Sequence, residues 1–134
     1  MIKSPKLYFY DSGLAASLLQ IQSPEMLIHH PYRGALFENF VIIEMLKNRY
    51  NRGQRSNLYF FRDSTGNEVD VVVDNGLELL PIEIKSGETI RDDFFQGIRY
   101  WEKLTGQKGG EVIYGGNTGQ KRSDGLSVRS WREV

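Results

Sequence analysis

Three charged residues, Asp70, Glu83 and Lys85, interrupt two apolar runs in the middle of the chain. Two carboxylates presented by rigid strands, with the peptide carbonyl of Ile84 nearby, make an all-oxygen site of the kind that Mg²⁺ or Mn²⁺ prefers. Lys85 can position or deprotonate a metal-bound water, or stabilise charge that develops on a phosphate. Metal, water and lysine together are the parts needed to hydrolyse a phosphodiester.

A β-hairpin would bring these residues together. The dipeptide Asn75-Gly76 separates the two apolar runs and is typical of a two-residue type I′ turn. With that turn, Asp74 pairs with Leu77 and Asp70 lies opposite Pro81. Side chains alternate faces along a strand, so Asp70 would share its face with Glu83 and Lys85.

Two other interpretations of the hairpin stay open. Glu83 and Lys85 can form an ion pair on a solvated sheet face while Asp70 pairs elsewhere, although the surrounding valines and isoleucines favour central strands. A three-residue loop at 74–76 would turn Asp70 away from Glu83, and the site would not form.

The D…ExK hairpin resembles the core of the PD-(D/E)XK nuclease superfamily, which has a restriction-endonuclease-like fold. Upstream, RGALFE (33–38) is similar to the first helix of that core, and the resemblance implies that Glu38 completes the metal site. Downstream, QGIRY (96–100) matches the QxxxY element of RecB-type nucleases. The resemblance assigns Gln96 and Tyr100, four residues apart on one helix face, to the orientation of substrate near the scissile phosphate.

A closer resemblance covers nearly the whole chain. The segments KLYFYDSGL (6–14), RGALFENFVIIEML (33–46), LYFFRDSTGNEVDVVV (58–73) and PIEIKS (81–86) are similar to the C-terminal domain of bacterial and archaeal AAA-type ATPases. That domain has no known function and follows an ATPase module and a winged helix, which are the implied partners. The chain has no GxxxxGK[ST] loop, so we expect no ATPase activity in this fragment. We predict a lead-in segment with a short helix over residues 1–30 and the nuclease-like domain over residues 31–134.

Composition fits one globular domain. The 134 residues are 40% hydrophobic and 25% charged, and no apolar stretch approaches the roughly 20 residues that span a bilayer. No export signal is visible and the chain has no cysteine, which agrees with a cytoplasmic protein and with no membrane partner.

Charge gives a weaker indication of partners. The formal net charge is zero, so any binding to nucleic acid, for which DNA is the expected form, should be modest and sensitive to salt. Basic residues cluster over 47–62 and over 121–132, where they either contact phosphates or form solvated polar surface. Assembly into a homo-oligomer is compatible with the sequence but is not determined by it.

Periodicity predicts the elements that position the site. We expect helices over 11–20, 32–50 and 90–104, a connector over 21–30, and strands over 57–62, 68–74, 77–85, 111–114 and 126–131. Within the last helix, Phe94, Ile98, Trp101 and Leu104 form the predicted inward stripe. The fold class is therefore α/β, a central mixed β-sheet flanked by helices in the order α-β-β-β-α-β-β, as in a restriction-endonuclease-like core.

Three functions are compatible with these features. The first is a metal-dependent nuclease in which Asp70, Glu83 and Glu38 hold the ion. The second is a non-catalytic module that docks the ATPase to nucleic acid or protein, or that holds its subunits together. The third is a structural domain whose acidic residues form internal ion pairs.

Overall fold

The computed structural model describes residues 5–134. The first four residues of the predicted lead-in segment lie outside the described residues. The protein is a mixed α/β domain built on one six-stranded sheet in the order β1-β2-β3-β4-β6-β5. The strands are β1 (Leu58–Arg62), β2 (Glu68–Asp74), β3 (Leu79–Lys85), β4 (Gly110–Tyr114), β5 (Gln120–Lys121) and β6 (Leu126–Ser130).

Helices cover both faces of this sheet. They are α1 (Ser12–Leu18), α2 (Pro24–His29), α3 (Arg33–Asn51) and α4 (Gln96–Thr105), with 3₁₀ turns at Asp92–Phe95 and Trp131–Glu133. One core cluster joins α3 to the sheet through Val41, Ile82 and Ile113, and a second joins the first 3₁₀ turn and α4 to the opposite face through Phe95 and Ile98. None of the helices within residues 5–134 combines the length and the apolar character that crossing a bilayer requires.

Strand direction changes within the sheet. Strands β1, β2 and β3 form an antiparallel meander, whereas β4 runs parallel to both β3 and β6. The parallel pairing of β3 with β4 requires a crossover connection, which α4 supplies. The predicted order α-β-β-β-α is present, and an extra short strand, β5, lies between the two predicted closing strands.

The predicted two-residue turn between β2 and β3 is wrong. Asp74 pairs with Leu79, so the loop has four residues, and the Asn75 N–H donates to the Glu78 carbonyl. A type I′ turn needs positive φ at both central residues, and within residues 5–134 the only residue other than glycine with positive φ is Gln20. Val72 rather than Asp70 therefore lies opposite Pro81. The shift is two residues, so it preserves the face that each residue occupies.

A β-bulge in β2 lies next to Asp70. Tyr59 pairs with Val72 and Phe61 with Val69, which leaves one extra residue in β2 between the two pairs. As a result Val69 and Val72 pack together with Trp101, although strict alternation would place residues three apart on opposite faces. Bulges of this kind re-aim side chains, and this one lies at the position of a predicted site residue.

Two helical predictions also need correction. The expected connector over 21–30 contains α2, because Ser23 caps the helix by accepting from the Met26 N–H and Pro24 occupies its first position. The predicted helix over 90–104 begins with a 3₁₀ turn, which has about three residues per turn and so changes the phase of the buried stripe. Phe95 is consequently fully buried, whereas Leu104, predicted to point inward, is 55% exposed.

A buried asparagine attaches the segment before α1 to α3. The Asn39 side chain accepts from the Phe9 N–H (2.7 Å) and donates to the Phe9 carbonyl (2.9 Å) and to the Ser12 hydroxyl (3.0 Å). We expect Asn39→Ala to lower the free energy of unfolding by about 2 kcal/mol, because it leaves polar groups of Phe9 without partners. Urea denaturation followed by circular dichroism measures this change.

Asn48→Ala is the matched control, since Asn48 lies on the same helix and is exposed. Its expected effect is within about 0.5 kcal/mol of zero. Equal losses in the two variants would show that the contacts with Phe9 contribute nothing to stability.

Candidate functional site

The predicted hairpin residues meet in the sheet. Asp70 and Glu83 are both 4% exposed, and the Ile84 N–H donates to Asp70 Oδ2 at 2.9 Å. The Lys85 ammonium lies 2.5 Å from Glu83 Oε2 and 3.4 Å from Asp70 Oδ2. The structure thus brings together Asp70, Glu83 and Lys85, which the sequence predicted to share one face, with Ile84 beside them.

Glu83 has a partly unsatisfied carboxylate. Among the described residues, its Oε1 atom is buried and has no hydrogen-bond partner. The side chain packs against the first turn of α4 at Gly97. Burial, reinforced by the nearby negative charge of Asp70, raises the pKa of Glu83 to about 7 even though Lys85 acts in the opposite direction. Glu83 therefore changes its protonation near neutral pH.

Lys85 stays charged. Burial by itself would lower the pKa of its ammonium, but the Asp70 and Glu83 carboxylates outweigh that effect and the pKa is raised. A permanently protonated lysine donates hydrogen bonds and stabilises negative charge. It is poorly suited to remove a proton from water.

A second lysine occupies the other side of Asp70. The Lys6 ammonium lies 3.1 Å from Glu38 Oε1, 3.4 Å from Glu68 Oε1 and 3.8 Å from Asp70 Oδ1. Tyr8 donates its hydroxyl proton to the same Glu38 oxygen at 2.7 Å. Glu38, predicted from the family resemblance to be a metal ligand, is therefore near Asp70, with Lys6 between them.

Glu68 and Lys85 line two of the clefts that open beside this group of residues. The larger cleft, of about 620 Å³, is also lined by Glu38, Asp70 and Ile84. The smaller cleft, of about 330 Å³, is also lined by Glu83, Gln96 and Tyr100. A substrate in either cleft would be in reach of Lys85.

Gln96 and Tyr100 lie on α4, as predicted. Gln96 is the first residue of the helix. The Tyr100 hydroxyl donates to Asp63 Oδ2 at 2.6 Å, and this bond raises the pKa of Tyr100 and lowers that of Asp63. Tyr100 is thus held against the β1–β2 loop, at the rim of the smaller cleft.

The donor set fits a hard divalent cation in its chemistry. Carboxylate oxygens from α3, β2 and β3 converge here, and a buried oxygen of Glu83 is free to accept. Within residues 5–134 of this structure, no three His, Cys, Asp or Glu side chains are arranged to hold a metal ion. Lys6 lies among three of the carboxylates, so a bound metal would compete with its ammonium.

Residues 33–134 match the family described as a domain of unknown function (DUF4143). The chain belongs to this family. The match confirms part of the predicted resemblance, since DUF4143 is a C-terminal domain of ATPases. Neither the curated proteins nor the solved structures contain a match to the chain.

Many basic residues of this DUF4143 domain are engaged within the chain. In the first predicted cluster, Arg62 pairs with Glu68 at 2.7 Å and so joins the candidate site. In the second, Arg122 pairs with Asp124 and Arg129 with Glu111. These ion pairs reduce the basic surface that either cluster can offer to phosphates.

Sequence reasoning missed two members of the site. Glu68 lies two residues before Asp70 in the predicted strand, and alternation alone could have indicated that both carboxylates reach the same region. Lys6 had no such indication, because it contacts Glu38 and Glu68 across 32 and 62 residues of chain. Glu44, in contrast, pairs with Lys47 on the helix surface and is not part of the site.

Proposed function

We propose that this DUF4143 domain is a divalent-metal-dependent nuclease with a restriction-endonuclease-like core, which hydrolyses DNA phosphodiesters as the C-terminal module of an AAA-type ATPase. One observation carries the proposal: the Lys85 ammonium contacts two buried carboxylates, Asp70 and Glu83, in the wall shared by two clefts. Burying two acids beside each other costs free energy, and titratable groups perturbed in this way are typical of reaction centres.

The arrangement of elements supports the same proposal. Glu38 comes from α3, Asp70 and Glu83 from adjacent strands of the sheet, and Gln96 and Tyr100 from α4. This is the order of parts in the PD-(D/E)XK core that the sequence resembles. Rigid strands and helices hold all five side chains, which favours a preorganised site.

Each of these residues has a separate role in the proposed hydrolysis. A Mg²⁺ or Mn²⁺ ion held by Asp70, Glu83 and Glu38 would supply Lewis-acid activation of the phosphate and of the attacking water. Lys85, which stays protonated, donates to a phosphate oxygen and stabilises its growing negative charge. Gln96 and Tyr100 line the smaller cleft and would orient the substrate there.

Cleavage of supercoiled and linear DNA in Mg²⁺ or Mn²⁺ tests this function. We expect Lys85→Met to lower the cleavage rate by about 100-fold or more, as for the loss of one charge-stabilising donor. Methionine keeps most of the aliphatic stem, so the packing of β3 is preserved. Chelation should abolish cleavage by the unmodified protein.

Lys47→Met is the control for this substitution, because Lys47 forms an exposed ion pair on α3 remote from the clefts. It should cleave at the rate of the unmodified protein after the same purification. Cleavage that is equal in all three proteins would exclude Lys85 as the charge-stabilising donor. A complete lack of cleavage would favour the second candidate function.

The second candidate is a non-catalytic module that docks the ATPase to nucleic acid or protein, or joins its subunits. The specific observation in its favour is exposed apolar surface on the first two helices, where Leu14, Leu18 and Ile28 are each at least 52% exposed. Metal binding with cleavage distinguishes the nuclease from this alternative.

A further inference from the structure

The Lys6 ammonium lies between three carboxylates. Its distances to oxygens of Glu38, Glu68 and Asp70 are 3.1, 3.4 and 3.8 Å, and its side chain is only 18% exposed. Lysine side chains usually lie in solvent, and burying this one costs rotamer entropy and hydration. Glu38 belongs to α3, and Glu68 and Asp70 belong to β2.

We infer that Lys6 is a built-in competitor of the divalent cation, and that residues 5–10 form a displaceable plug over the site. This inference rests on the proposed metal-dependent function and adds its regulation. In the closed state the Lys6 ammonium pairs with Glu38, Glu68 and Asp70. In the open state the segment moves away and Glu68 joins Glu38 and Asp70 as an oxygen donor to the metal.

The charges around the site support an exchange of this kind. Counted as ionised, the side chains linked by the ion pairs are four acids and three bases: Glu38, Glu68, Asp70, Glu83, Lys6, Arg62 and Lys85. When Lys6 withdraws, four negative charges face two positive ones. The excess of negative charge left behind favours the entry of a cation.

The attachment of the segment also permits displacement. Residues 5–10 belong to no helix or strand. Their backbone makes no backbone–backbone hydrogen bond with the rest of the described chain. Phe9 is held by the side chain of Asn39. Beyond it, Tyr8 packs against the core cluster of α3 and, like Lys6, contacts Glu38. Displacement of the segment therefore breaks the Tyr8 packing and these two bonds to Glu38, while the bonds to Phe9 can act as the pivot.

Metal titration of the full 134-residue chain without DNA tests the inference. Isothermal titration calorimetry with Mn²⁺ should show that Lys6→Met binds roughly tenfold more tightly than the unmodified protein, a typical coupling between competing ligands. Lys47→Met removes a lysine from a glutamate elsewhere on the surface and should bind Mn²⁺ as the unmodified protein does. Adding Glu68→Gln to Lys6→Met should cancel most of the gain.

Two outcomes overturn the inference, and they differ in what they say of the proposed function. Equal Mn²⁺ affinity in the unmodified protein and Lys6→Met would show that Lys6 does not compete with the metal. It would not contradict the proposed metal-dependent nuclease. Absence of Mn²⁺ binding in every variant would remove both proposals. Tighter binding by Lys6→Met without DNA cleavage would support the competition while contradicting the nuclease.

A measurement on the unmodified chain covers the case in which Lys6→Met does not fold. Acetylation of lysine amines, followed by mass spectrometry, should modify Lys6 several-fold faster in Mn²⁺ than in chelator. The exposed amines of Lys47 and Lys108 provide the internal reference and should react at unchanged rates. A Lys6 rate that is insensitive to Mn²⁺ would overturn the inference.

Discussion

Gly97→Ala is expected to lower the free energy of unfolding by about 3 kcal/mol, the upper range for overpacking a core. A Cβ at this position would lie 2.6 Å from the Glu68 carbonyl oxygen and 2.9 Å from Glu83 Cδ, both well inside van der Waals contact. The carbonyl belongs to a strand backbone and cannot move aside, so α4 must shift away from the sheet. Chemical denaturation measures the loss.

Gly34→Ala provides a control at the equivalent position of another helix. Gly34 and Gly97 are each the second residue of a long helix, but a Cβ on Gly34 would have only the Ser86 hydroxyl within reach, at 4.0 Å. Alanine favours helices over glycine by about 1 kcal/mol, so Gly34→Ala should be neutral or stabilising. A neutral Gly97→Ala would mean that α4 does not pack closely on Glu83.

Stability should fall as the pH rises from about 5 to about 8. The pKa of Glu83 is about 7 in the folded chain against an ordinary value of 4.5, so between these values the folded protein binds more protons than the unfolded chain. The stability linked to protonated Glu83 is fully present below the unfolded pKa and is lost as the pH passes the folded one. Its size is on the order of 3 kcal/mol, because each pKa unit corresponds to about 1.4 kcal/mol. Urea denaturation at a series of pH values, in chelator, measures the decline.

Glu83→Gln should remove most of this decline, since the amide does not titrate. Glu44→Gln, on the surface of α3, should keep it. The other carboxyls with shifted pKa values, including Glu68, have lowered values and act below about pH 4.5, outside the window. An unchanged pH profile in Glu83→Gln would contradict the assignment of the titration to this residue.

Local patterns in the sequence were sufficient for most of the fold. An apolar run predicted β2 with its observed limits, 68–74, and the helix predicted to end at 104 ends at Thr105. The alternation of side chains along strands placed Asp70, Glu83 and Lys85 together. That prediction survived an incorrect turn because the error was two residues, the period of a strand.

Only the tertiary structure decided how the candidate site is completed. The bulge beside Asp70 depends on how β1 pairs with β2, and its local sequence did not indicate it. Lys6 reaches Glu38 and Glu68 across 32 and 62 residues of chain, a distance over which propensity and periodicity carry no information. The shifted pKa of Glu83 likewise arises from burial against α4 and from the nearby Asp70. The sequence by itself thus determined the family, the strands and the charged residues that they carry. Packing between distant segments determined the cation that lies among the carboxylates, because an ion pair forms between side chains that the fold brings within a few ångströms.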